Sequence, residues 1–253
     1  TFSRVGYTFK GWDTDPKGEG SIAPNTQVQV DNKDGENVLY AIWSANTDTK
    51  YTVEFYYQNV DGTYTLNHSD KRTATTDTTV SVTDADKAAK ENNKYVYDES
   101  AANVESGIVK GDGTLVLKLY FKLNTASYTI HHYLWTNKGA TTIKVADDTE
   151  SQATIGKELS AAEFVKESKD LYADYQRASQ HSYEPETITV NVDSTQNVII
   201  IYYSENPELN AAGFEHVYDG ETHTMADASV DGATGFKIEY SFKNDKGEWV
   251  TTE

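Results

Sequence analysis

Cysteine is absent from the 253 residues. That excludes a disulfide framework, a thiolate nucleophile and any cysteine-based zinc site. No apolar run approaches the ~18–20 residues that a membrane-crossing helix needs, and Thr1 does not begin a signal peptide, so membrane insertion is not expected of this segment. Positive charge is scarce: 22 Lys and Arg stand against 40 Asp and Glu, for a net charge of −18. Such a surface repels phosphate backbones and anionic lipid, which argues against nucleic acid as a partner. Catalytic signatures are missing too. There is no Gly-x-Ser-x-Gly elbow, no phosphate-binding glycine loop and no His-Glu-x-x-His. Modules under ~80 residues leave little room for a pocket of ~300 Å³. The expectation is a non-enzyme with no cofactor and no bound metal.

What is present is aromatic and β-branched. The chain holds 18 Tyr, 8 Phe and 4 Trp but one Met, a composition that fits half-buried pleated surfaces. Residues 51–57 (YTVEFYY) and 128–135 (YTIHHYLW) both open with Tyr-Thr and then alternate. Tyr51, Val53, Phe55 and Tyr57 share one face of the first, and Tyr128, Ile130, His132 and Leu134 one face of the second. Stronger strands follow at 115–122 (LVLKLYFK) and 197–204 (NVIIIYYS). The spacing is a repeat of roughly 80 residues.

Between opener and closer each repeat holds a stretch read as helix. Residues 81–92 are rich in Ala and Lys, and 158–172 start with Ser160-x-x-Glu163, a capping-box pattern. Asp-Gly pairs at 61–62 and 112–113 mark tight turns. The order strand, strand, helix, strand, strand predicts an α+β, β-rich chain of tandem β-grasp-like modules. The polar linkers at 44–50, 124–127 and 204–210 are short, so the array is expected to be elongated and semi-rigid.

His131 and His132 are adjacent on a strand, point to opposite faces and cannot chelate one ion together. The reading is one core histidine and one surface histidine. His216, Asp219 and His223 lie close in sequence without a water-activating Glu. The acidic run 13–20 contains Asp-x-Asp and 31–37 resembles a fragment of a calcium loop, but counted from Asp31 Lys33 stands where an oxygen ligand belongs and the glycine comes one place early, so both are read as solvated turns. Tyr56, Tyr120, Tyr133 and Trp135 point outward from their strands and are the candidate ligand-contact aromatics. Their alternative use is cross-strand pairing on the solvent face. The segments EFYYQN and HHYLWT differ at outward positions, which weighs against one site shared by both repeats.

Gly6–Trp12 (GYTFKGW) and Leu39–Trp43 (LYAIW) resemble the facing blocks of an internalin-type B repeat, the Listeria–Bacteroides repeat. The resemblance implies a truncated module over residues 1–46 whose core aromatics are Tyr7, Phe9, Trp12, Tyr40 and Trp43. Residues 50–124 and 127–206 are similar to MucBP-like repeats, with Gly107, Gly111 and Gly113 in the pattern of the first. Residues 209–253 resemble the first half of a bacterial Ig-like repeat, a truncated all-β segment. Together these resemblances imply a modular Gram-positive adhesin, extracellular and attached to the cell wall. Its implied role here is a spacer projecting a binding head; the alternative is direct binding of host mucin glycans or a host surface protein by the MucBP-like repeats. A module lacking its first strand implies an edge open to strand pairing with another chain. Such surface repeats often carry Lys–Asn isopeptide bonds, for which Lys118 and Lys122 are the lysines to inspect.

Overall fold

The alternation in residues 51–57 becomes a ten-residue strand whose odd positions are buried and whose even positions face out. The computed structural model describes residues 2–30 and 37–205, and beyond them 208–210, 229–231, 240–243, 246 and 248–252. The chain divides into two compact units, Thr1–Thr125 and Ala126–Glu253.

The first unit begins with β1 (Tyr7–Asp13) and β2 (Tyr40–Ala45), an antiparallel pair with a bulge between Phe9 and Gly11. β3 (Thr49–Gln58), β4 (Tyr64–Ala74), β6 (Tyr95–Tyr97) and β8 (Val116–Leu123) form a four-stranded sheet ordered β4-β3-β8-β6. β5 (Thr79–Ser81) pairs with β7 (Ser106–Ile108). β3 and β8 run parallel, Thr52 opposite Val116 through Tyr57 opposite Phe121. Their inward residues Tyr51, Val53, Phe55, Leu117, Leu119 and Phe121 form the core.

The second unit repeats the plan. β9 (Thr125–Thr136), β10 (Gly139–Lys144), β13 (Ala178–Glu184) and β15 (Val198–Glu205) are ordered β10-β9-β15-β13, with β11 (Thr149–Thr154) also paired to β9. β12 (Glu158–Ser160) pairs with β14 (Thr187–Thr189). β9 and β15 are parallel, Thr129 opposite Val198 through Trp135 opposite Ser204. Ile130, Ile199, Ile201 and Tyr203 are fully buried at its centre.

The β-rich reading holds, but the tandem β-grasp modules with crossing helices do not. The stretch 81–92 yields only α1, Asp84–Lys87, four residues long. Ala88 turns extended, and Glu91, Asn92 and Asn93 take positive φ. Lys90 is tied by both backbone bonds to Tyr95, so pairing replaces helix. The stretch 158–172 opens instead with β12 and continues as 3-10 turns at Ala161–Phe164 and Ser168–Asp170. Ser160 makes no capping bond, and Leu159 is held opposite Ile188 as a strand residue.

In the segment read as Ig-like, β16 (Glu208–Asn210) pairs with β17 (Ser229–Asp231), and β18 (Tyr240–Lys243) with β19 (Trp249–Thr252). The remainder of that segment, with His216, Asp219 and His223, lies outside the described residues, as do residues 31–36 of the second acidic run. No helix among the described residues is long and apolar enough to cross a membrane.

Candidate functional site: an outward aromatic face in each unit

The outward face of each central strand pair carries the four candidate aromatics, two per unit. In the first unit Tyr56 and Tyr120 stand opposite each other on β3 and β8. Their rings stack at 4.8 Å with 18° between planes. Tyr64 of β4 meets Tyr120 edge-on at 5.3 Å and donates a 2.5 Å hydrogen bond to Asp98. Tyr56 donates to Glu54 at 2.7 Å, which pushes its hydroxyl pKa upward. Lys118 lies 5.6 Å over the Tyr56 ring and 3.8 Å from Glu54. Lys122 lies 3.9 Å from Asp98. Both lysines inspected for isopeptide bonds therefore face carboxylates.

In the second unit Tyr133 stands opposite Tyr202. Thr52 and Thr129 each open the parallel ladder, against Val116 and Val198. Counted from there, Tyr133 and Tyr202 occupy the positions of Tyr56 and Tyr120. The apparent mismatch between the two segments was thus confined to their flanks: the tyrosine pair recurs in register. Its surroundings differ. Tyr133 stacks on His131 at 5.3 Å, and Trp135 packs edge-on against Tyr202 at 5.4 Å while stacking on His181 at 4.6 Å. Glu184 lies 3.5 Å from the Tyr202 hydroxyl.

Tyr202, Tyr64 and His181 were not singled out from sequence. The signal for Tyr202 was available in the alternation of NVIIIYYS, whose two tyrosines must point to opposite faces. His181 and Tyr64 reach the face across bulges in β13 and β4 pairing, which alternation does not reveal.

Of the residues carried over from the B-repeat resemblance, Phe9, Trp12 and Trp43 meet as a half-covered cluster, and Tyr7 and Tyr40 do not join it. Phe9 contacts Trp12 at 5.4 Å and Trp43 at 5.1 Å, with Phe2 edge-on to Trp12 at 5.6 Å. Tyr40 is exposed on β2 and Tyr7 turns away to donate to Asp77. In the first acidic run, Asp13 accepts from the amides of Asp15, Gly20 and Ser21 and from the Ser21 hydroxyl. These donors lower its pKa to about 2, so the carboxylate is held by its own loop. Among the described residues no three His, Asp or Glu converge where a metal ion could sit. The face offers stacking surface edged by charged hydrogen-bond partners.

No family model and no curated protein matches this chain. Among solved structures it is similar to one described as Mub-RV, at 14% identity and a TM-score of 0.23, over 63% of this chain and all of that one.

Proposed function

We propose that these units are non-catalytic spacer repeats of a bacterial cell-surface adhesin, projecting a binding head from the cell wall. One observation carries the reading. In both units the central strands are parallel, β3 with β8 and β9 with β15, and they are the first and last strands of their sheets. The chain therefore enters each sheet at one pole and leaves at the opposite pole, as a load-transmitting link requires. A pull on the ends loads every hydrogen bond of the parallel ladder at once. The outward aromatics are largely taken up by one another, which fits cross-strand stabilisation worth roughly 0.2–1 kcal/mol per pair.

The recurrence of the Tyr56/Tyr120 pair as Tyr133/Tyr202 favours a second reading, direct recognition of mucin glycans or a host protein by the repeats. Binding of the full chain to immobilised mucin and a glycan panel, beside Trp135→Ala and Tyr120→Ala, separates the two. The spacer reading expects no saturable binding from folded protein. Saturable binding lost in either variant replaces it with the recognition reading.

A further inference from the structure

Phe55 and Phe121 fill the centre of the first unit, their rings stacked at 6.2 Å. Counted along the two ladders, His132 and Tyr203 hold the same positions in the second unit. An apolar pair has been exchanged for a titratable one. His132 and Tyr203 are both fully buried. His132 Nδ1 lies 3.1 Å from the Tyr203 hydroxyl, and that hydroxyl accepts the backbone N–H of Lys166 at 2.8 Å. Lys166 belongs to the connection over residues 161–172, so one side-chain chain ties that connection to the sheet. His132 Nε2 has no partner among the described residues.

We propose that the second unit carries an acid-operated release in its core: proton uptake by His132 breaks the His132–Tyr203–Lys166 chain and loosens the 161–172 connection, while the first unit stays closed. The charged ring must present an N–H at both nitrogens. At Nε2 no acceptor among the described residues is in reach, and at Nδ1 the new N–H meets the proton that the Tyr203 hydroxyl donates there, which must turn away and give up its bond to the ring. A buried charge without partners is costly. The groups around it do not help. The Lys166 ammonium and His131, on the opposite face of the same strand, oppose a second positive charge. Asp148, from the β10–β11 connection, is the one carboxylate among the described residues acting in its favour; its Oδ2 lies 2.7 Å from the Lys144 ammonium and 3.1 Å from His131 Nδ1, and it makes no hydrogen bond to His132. Burial, acting first, lowers the His132 pKa to about 4, against an unperturbed value of about 6.5.

The sign follows. The unfolded state takes up the proton as pH falls through about 6.5, and the folded state only near 4, so the unit loses stability across that window. The test is hydrogen exchange of the full chain read by mass spectrometry, corrected for the pH dependence of intrinsic exchange. Segments from residues 126–205 are expected to open about tenfold more for each pH unit lowered between about 6 and 4, with 161–172 leading. Segments from residues 49–123 keep their protection between about 6 and 5, above the range in which their own paired carboxylates begin to take up protons. His132→Phe, which restores the aromatic of the first unit, flattens the dependence; His131→Gln keeps it. Should His132→Phe fail to fold, His132→Gln gives the same reading with a neutral hydrogen-bonding side chain. A dependence that survives removal of the imidazole, or one shared equally by both units, overturns the proposal.

Discussion

Asp86 sits where two separate demands meet. It is the third residue of α1, and its carboxylate accepts from the backbone N–H and hydroxyl of Thr83 while its own N–H donates to that hydroxyl. It also takes a two-pronged bond from Arg72 at 2.9 and 2.6 Å. Arg72 in front of it, then the Thr83 donors, hold its pKa far below the usual carboxylate range despite burial. Removing the carboxylate leaves the partly buried guanidinium with Asp70 alone, at 3.2 Å, and takes away the half of the capping box that holds the Thr83 amide. Asp86→Ala is therefore expected to cost roughly 3 kcal/mol, measured by denaturation of the full chain with protection of the first unit as readout. A folded pKa below the unfolded one means this stability is fully present above pH ~5 and lost as pH falls from there through the folded value. In the second unit Asn197 plays a comparable part without charge. It is fully buried, donates to the carbonyls of Ser127 and Asn191 at 3.0 and 2.8 Å, and accepts the Asn191 N–H at 2.7 Å. Asn197→Ala leaves those backbone groups unpaired and should cost about 1–3 kcal/mol or more, read as lost protection at Asn191. An unchanged Asn191 amide would show that solvent replaces the side chain freely.

At the scale of elements, strands were legible in the sequence and helices were not. Alternation over 51–57 and 128–135 is a local signal, and burial follows it throughout the first and as far as His132 in the second. The stretches 81–92 and 158–172 have helical composition, but tertiary bonds decide their fate. Lys90 lies over the Phe55 and Phe121 rings at 5.6 and 5.3 Å, and Ala161 donates its amide to Glu186 across the sheet edge. Propensity worth tenths of a kcal/mol per residue yields to such anchors. The outward aromatics were legible by parity; their partners across bulges were not. Nor was the seam between the β1–β2 pair and the larger sheet of the first unit. The Gly6 carbonyl accepts from Asn46 at 2.9 Å and from the Thr76 hydroxyl at 2.8 Å, and Asn46 in turn accepts the Thr76 amide at 2.9 Å. A Cβ on Gly6 would stand 2.3 Å from the Gly111 Cα, and one on Gly111 would stand 2.2 Å from the Val5 carbonyl oxygen. Two backbones touch there, and only glycine on both sides permits it. Gly111→Ala is expected to part the seam, exposing the Thr76 and Asn46 amides to exchange while the β3–β8 ladder stays protected. If those amides keep their protection, the seam tolerates a methyl group and is not what fixes the β1–β2 pair.

At the scale of the whole chain, the spacer reading stands or falls on direction of load. The seven paired positions of β9 and β15 run from Thr129 opposite Val198 to Trp135 opposite Ser204. Tension along the chain pulls β9 from its start and β15 from its end, so the strands must slide past one another. Sliding breaks the evenly spaced parallel bonds together, whereas peeling breaks them in succession. The absence of cysteine makes the two geometries directly comparable, because an introduced pair is the only pair of thiols available for handles. Ser127→Cys with Glu205→Cys applies the natural pull along the ladder. Ser127→Cys with Ser194→Cys places both handles at one pole, since Ser194 lies in the exposed turn before β15, and peels the same two strands apart. The first pair is expected to rupture at a force several times that of the second under single-molecule extension. The inward side chains are identical in both experiments, so a difference reports the direction of loading and not the strength of the core. Equal forces would mean that the parallel arrangement transmits no special resistance along the chain, and the argument for a load-bearing link would lose the observation on which it rests.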